Sequence, residues 1–173
     1  LGGGSVELVD LDAGAAGQKR RVTLPLGPLR NWDLIRNHPG ELSEFIKEHL
    51  AKVAWLKGLR GKPFHLVGGA WRSIARLHMS HVDYPLHVID HYRVPASEAM
   101  DFCRLISNLS AETLSKTEGV SARRLHTIPY AAELMVEILN LTQPSELVFS
   151  ANGLREGCLF DLLDDEERKA DPV

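Results

Sequence analysis

The first ten residues, Leu1-Gly2-Gly3-Gly4-Ser5-Val6-Glu7-Leu8-Val9-Asp10, run three consecutive glycines straight into an alternating strand. Glycine accepts φ > 0 and lets backbone approach a ligand closely. Successive N–H groups in such a turn form a concave anion site, and the Ser5 hydroxyl adds a donor. Glu7 stands just past the loop, so its carboxylate falls near whatever the loop amides hold. There it can orient a water or take its proton. Gly-Gly-Gly-Ser alone also reads as a linker, and Glu7 alone as an exposed strand residue. The unbroken continuation into Val6-Glu7-Leu8-Val9 favours a folded loop.

Outward from that loop, residues 12–17 read as a turn of Asp, Gly and Ala, and residues 19–26 as a returning strand. Residues 4–26 therefore form a β-hairpin, ended by Pro25, Gly27 and Pro28. Pro39 and Glu41 mark a helix start. Leu42, Phe45, Ile46, Leu50, Val53 and Leu56 follow at 3–4 spacing, which predicts one amphipathic helix to Leu59. Residues 62–67 form a short buried strand. Gly68-Gly69 turns it into a helix over 70–79, with Trp71, Ile74, Ala75 and His78 on one face. Residues 80–94 read as irregular. A helix opens at Pro95 and runs to Leu109, with Phe102, Leu105 and Ile106 inward. Helices follow over 110–114 and 121–141. Glu146–Ser150 is a last strand, and Ala151-Asn152-Gly153 turns it into a helix over 154–163. The order β-β-α-β-α-α-α-β-α predicts an α/β fold with a mixed sheet flanked by helices. Ligands in such sheets collect where strand ends meet helix starts.

Composition sets the outer bounds. The chain has 173 residues, 44% hydrophobic and 25% charged, which suits one domain with a real core. No apolar run approaches the roughly 18 residues of a membrane span, and no signal-peptide pattern is present. Two cysteines, Cys103 and Cys158, stand far apart, which points to reduced thiols in a cytoplasmic protein. A net charge of −3 gives no whole-protein field for nucleic acid. Basic residues cluster only locally, at Lys19-Arg20-Arg21, Arg72/Arg76 and Arg123-Arg124.

The other end of the chain reads Ser150-Ala151-Asn152-Gly153-Leu154-Arg155-Glu156-Gly157. With Gly-Gly-Gly-Ser-x-Glu about 150 residues before it and a strand-Gly-helix junction between, the chain resembles the exopolyphosphatase/guanosine pentaphosphate phosphohydrolase family over nearly its whole length. The resemblance implies an actin-like, ribonuclease-H-like lobe of the acetate and sugar kinase/Hsp70/actin superfamily. It implies a two-lobed enzyme, of which this chain is the second lobe over 1–163, followed by a charged, frayed tail over 164–173. The first lobe, with its own glutamate and phosphate loop, is expected ahead of Leu1.

Carried over by position, Gly2, Gly3, Gly4 and Ser5 are the phosphate-binding loop and Glu7 the catalytic carboxylate. Gly68 and Gly69 form the second glycine-rich turn, and Arg123 is an anion- or nucleotide-binding arginine. Trp71 and Tyr130 depart from the small residues usual in the family and narrow the region near that turn. Mg²⁺ is implied, bridging through substrate phosphates, with no metal site made by the protein alone. The implied substrates are polyphosphate or guanosine pentaphosphate. Partners would be the missing lobe and a homodimer mate, with neither membrane nor nucleic acid. Two other functions are consistent with the same fold: a non-catalytic alarmone-binding lobe, and a kinase-like phosphotransferase with an adenosine pocket at Gly68-Gly69.

Other residues read as structural. His78, His81, His87 and His91 crowd near Asp83 and Asp90, but Pro85 argues against the helix that a His-x-x-x-His zinc pair needs. Arg155-Glu156 has two readings, a buried or hinge-positioned ion pair at the strand-to-helix turn and, second, direct ligand contact. Trp32, Trp55 and Trp71 pack, Leu134, Met135, Ile138 and Leu139 make a core stripe, and Cys103 and Cys158 are small hydrophobes.

Overall fold

Two strands follow the glycine loop, and their pairing sets everything near it. The computed structural model describes residues 1–11, 20–115 and 125–169. Strand β1 (Val6–Asp10) pairs antiparallel with β2 (Arg20–Leu24), in a register that sets Val6 opposite Leu24 and Asp10 opposite Arg20. Val6, Leu8 and Asp10 turn inward while Glu7 and Val9 turn out, the period-2 alternation of a half-buried strand.

A second sheet has the order β3-β5-β4. Strand β3 (Phe64–Val67) runs parallel to β5 (Glu146–Ser150), and β4 (Tyr92–Pro95) runs antiparallel to β5. Leu147, Val148 and Phe149 of β5 are all buried, so both of its faces are covered. The predicted mixed sheet flanked by helices is present.

Helices α1 (Trp32–Asn37), α2 (Leu42–Ala51), α3 (Gly69–His81), α4 (Ala96–Ser107), α5 (Ala111–Ser115), α6 (Ile128–Thr142), α7 (Leu154–Asp161) and α8 (Asp165–Lys169) complete the described residues. α6 is the central post. It is buried along almost its whole length and packs against α2, α3 and α4. The predicted stripe Leu134, Met135, Ile138 and Leu139 lies entirely inside. Gln143, at φ 43°, closes the helix in a left-handed turn, and Pro144 cannot continue it.

The structure departs from the sequence reading in several places, and Leu105, read as inward, is half exposed. The helix predicted to run from Pro39 to Leu59 is broken: two 3₁₀ turns, Pro39–Glu41 and Ala54–Leu59, flank α2. Val53 leaves helical dihedrals, at φ −104° and ψ 81°. A β-branched residue there and Gly58 after it weaken the helix, while Val53 and Leu56 still point inward. Residues 80–94 are not wholly irregular, because β4 begins at Tyr92. Pro95 ends that strand rather than opening a helix, and it is tolerated because β4 lies at the sheet edge. Helix α6 begins at Ile128, with Pro129 in its first turn; residues 125–127 of the predicted helix are turn, and 121–124 lie outside the described residues. Helix α1 was not foreseen: it has six residues and none is buried, so no apolar period marks it. Part of the tail read as frayed is helical, as α8.

Candidate functional site

The glycine loop is held from behind by the turn at Pro25, Gly27 and Pro28, which the sequence marks only as the end of the hairpin. The Gly2 N–H donates to the Ser5 carbonyl at 2.9 Å, which closes the loop on itself. The Gly3 carbonyl accepts from Leu29 N–H at 2.8 Å and from Arg30 N–H at 3.2 Å. Gly27 lies flat against the loop, and a Cβ there would stand 2.2 Å from the Gly4 carbonyl carbon and 2.3 Å from the Gly3 oxygen. Only hydrogen fits. Asn31 fixes the same turn, donating to the carbonyls of Pro25 at 2.8 Å and Gly27 at 2.9 Å. The buried Tyr130 hydroxyl donates to the Leu26 carbonyl at 2.9 Å, and burial pushes its ionisation well above the usual phenol range. Tyr130 is thus a brace behind the loop, not the obstruction expected near Gly68-Gly69.

The loop's two halves face different ways. Gly2 and Glu7 line a cleft of about 280 Å³ together with Gly68, Arg72, Gly153, Arg155 and Glu156. Gly3, Gly4 and Ser5 lie outside that lining. The Ser5 hydroxyl donates to Glu7 Oε1 at 2.5 Å. It therefore orients the carboxylate in this state rather than offering itself to an anion. The Gly2 N–H is likewise spent on Ser5, which leaves the Gly3 and Gly4 amides as the loop's donors without a protein acceptor among the described residues.

The second junction brings its backbone to the same cleft. Gly68, at φ 126°, adopts a conformation reserved for glycine and turns β3 into α3, whose first residue is Gly69. Trp71, expected to crowd this turn, is buried in the core and does not line the cleft. Arg72 faces the cleft and donates through Nη1 to the Ala151 carbonyl. That bond ties α3 to the third junction.

The third junction is built from side chains. Asp90 Oδ1 accepts from the Ala151 N–H at 2.8 Å and from the Ser150 hydroxyl at 3.2 Å. Ala151 is pinned on both sides, its N–H by Asp90 and its carbonyl by Arg72. Glu156 Oε2 accepts from the Gly153 N–H at 2.7 Å, which starts α7. These backbone donations hold the Glu156 carboxyl below its usual range. Glu156 is a helix cap, and the expected Arg155–Glu156 hinge pair gives way to it. Arg155 is left facing the cleft with Arg72. The sequence singled out neither Asp90 nor Gly27 for these parts. The sequence reading named Arg72 only as half of a local basic pair with Arg76.

Arg123 lies outside the described residues. Among the described residues no group of three or more His, Cys, Asp or Glu could hold a metal ion. The histidine cluster disperses accordingly. His78 is buried, its Nδ1 2.7 Å from the Tyr92 hydroxyl and its Nε2 3.1 Å from Glu98 Oε1. His81 stacks on Phe102 at 5.3 Å, and His87 and His91 are exposed. Cys103 is buried and its thiol is pushed up to about 12 by that burial. Cys158, expected to pack as a small hydrophobe, is exposed.

Residues 1–166 match the Ppx/GppA phosphatase family. Solved structures give the same fold. An exopolyphosphatase from Cytophaga hutchinsonii superposes with a TM-score of 0.79 at 17% identity, covering 94% of this chain and 55% of that one. The Aquifex aeolicus member of the Ppx/GppA family superposes with a TM-score of 0.70 at 20% identity, covering 99% of this chain and 56% of that one. An exopolyphosphatase-like protein gives 0.74 at 18% identity, over 93% of this chain and 56% of its own. The chain thus spans about half the length of these solved relatives. No curated protein sequence matches it. Among the described residues no helix is long and apolar enough to cross a membrane.

Proposed function

The chain belongs to the Ppx/GppA phosphatase family, and from that premise we propose that it is an actin-like lobe of a phosphoanhydride hydrolase. The substrate is inorganic polyphosphate or guanosine pentaphosphate, and the product is orthophosphate with a chain one phosphate shorter. The observation that carries this reading is the seat of Glu7. Its carboxylate is held by Ser5 and lines one cleft with the backbone of Gly2, Gly68 and Gly153 and with two arginines.

Water attacks the terminal phosphorus in line, the bond to the bridging oxygen breaks, and the shortened chain leaves with that oxygen. Glu7 orients the water and takes its proton. On this reading the Gly3 and Gly4 amides, which lie beside the cleft rather than in its lining, would meet phosphoryl oxygens of a substrate that reaches past Gly2. Arg72 and Arg155 supply local positive charge that the net charge of −3 does not. Of the two carboxylates lining the cleft, Glu7 and Glu156, Glu156 is engaged with the Gly153 N–H, so Glu7 is the one that would help hold a Mg²⁺ carried mainly by substrate phosphates. When bound, such an ion neutralises developing charge on the phosphoryl oxygens. A second lobe of the longer protein would close the other side of the cleft.

Orthophosphate release tests this. The longer protein should release it from polyphosphate or guanosine pentaphosphate, and this chain alone should release almost none. Strong turnover by the chain alone would overturn the shared cleft. No release by the longer protein from either substrate would overturn the hydrolase reading.

A further inference from the structure

The turn at residues 151–153 gives a ligand none of its amides. The Ala151 N–H goes to Asp90 Oδ1 at 2.8 Å, the Asn152 N–H to the Ser150 hydroxyl at 3.1 Å and the Gly153 N–H to Glu156 Oε2 at 2.7 Å. An anion at this turn is therefore met by side chains, and among the described residues the cations lining the cleft are Arg72 and Arg155. Arg72 stands one turn into α3, its N–H bonded to the Gly68 carbonyl at 3.1 Å. A long, flexible side chain costs conformational entropy to place. Here the Ala151 carbonyl places it in advance, by accepting from Nη1. One such bond leaves the other guanidinium donors to meet a phosphate.

Ala151 is exposed, and a carbonyl in an exposed turn holds still only where its neighbours are fixed. Asp90 fixes them from behind. It does not line the cleft, its side chain is only 28% exposed, and it accepts from the Ser150 hydroxyl as well as from the Ala151 N–H. Its negative charge opposes an anionic ligand, so its contribution comes from its accepting oxygen. We propose that Asp90 is a positioning residue for substrate binding. Through Ala151 it sets the Arg72 guanidinium at the cleft, and affinity follows the accepting oxygen of Asp90 rather than its charge. The inference rests on the cleft being the substrate site proposed above. Asp90 itself touches no substrate, and Arg72 grips the bound phosphates before the attack as well as during it. Loss of Asp90 should therefore appear in KM rather than in kcat.

Steady-state kinetics of the longer protein, on whichever of the two substrates it hydrolyses, test this. Asp90→Ala should raise KM about tenfold and leave kcat within about twofold. Asp90→Asn keeps an acceptor and drops the charge, so it should bring KM back to within about twofold of the unaltered protein. With Arg72→Ala already present, Asp90→Ala should raise KM no further, because its route to the substrate is gone. A general weakening of the fold would instead lower kcat and add to the Arg72→Ala effect. Unchanged KM in Asp90→Ala, a change in KM shared equally by both Asp90 variants, or full additivity with Arg72→Ala overturns the proposal. A second measurement needs neither turnover nor a variant. In this chain without ligand, the Arg72 Nε–H should be ordered on the ps–ns timescale, with an NMR order parameter above about 0.6. A lower value overturns the latch. Absence of turnover in the longer protein would strike the hydrolase reading instead, and the order of Arg72 would still decide the latch.

Discussion

The loop at residues 2–5 and the turn at residues 151–153 serve one cleft but are held by opposite means. The first is held by shape: a glycine laid on a glycine loop, braced from behind by backbone bonds and one tyrosine. The second is held by charge and hydrogen bonds: Asp90, Arg72 and Glu156 each fix a backbone group of the turn. A steric seat fails when one carbon is added. A polar seat fails when one acceptor is removed, and it yields to pH and salt.

In stability, the expected effects order along that difference. Gly27→Ala should cost most, about 3 kcal/mol, because the new Cβ meets backbone that has no rotamer to relax into. Denaturant unfolding measures it, and a near-neutral Gly27→Ala would show that the loop is not held by shape. Asp90→Ala should cost about 2 kcal/mol by orphaning the Ala151 N–H and the Ser150 hydroxyl. Asp90→Asn keeps the accepting oxygen and should recover about half of that loss. Equal losses for the two variants would argue against the polar seat. Tyr130→Phe should cost about 1 kcal/mol through the loss of one buried bond to Leu26, and amide exchange in residues 26–31 should rise with it.

The smallest effect is a pH slope from outside the cleft. Burial lowers His78 below its ordinary 6.5, with Glu98 opposing and His81 adding to the shift. Tyr92 faces the other ring nitrogen. The unfolded chain then binds the proton more readily than the folded one. Stability should be full above 6.5 and fall as pH drops through the lowered value. Melting curves from about pH 8 to about pH 5 should show this slope, and His78→Gln should flatten it.

How much of this was legible in the sequence follows from range. The α6 stripe and strand β5 are local patterns, apolar at helical spacing or in a short bounded run, and both stand as read. The glycine loop and Glu7 were picked out by residue type at short spacing, and the structure sets Gly2 and Glu7 on one cleft. β4 was not, because two inward residues in four beside a proline make no period, and only pairing with β5 makes it a strand. Gly27, Asp90 and Tyr130 were missed as parts of the site for the same reason. Asp90 meets Ala151 across 61 positions and Tyr130 meets Leu26 across 104. Glu156 was read as a charge partner where it caps a helix, since a Glu three residues after Gly153 fits both patterns.

The most direct test is the rate of orthophosphate release by the longer protein carrying Glu7→Gln, read beside its binding of polyphosphate. Turnover should fall about 10²- to 10⁴-fold, while binding stays near that of the unaltered protein because the loop amides and both arginines remain. An unchanged turnover would remove Glu7 from the chemistry and contradict the proposed site.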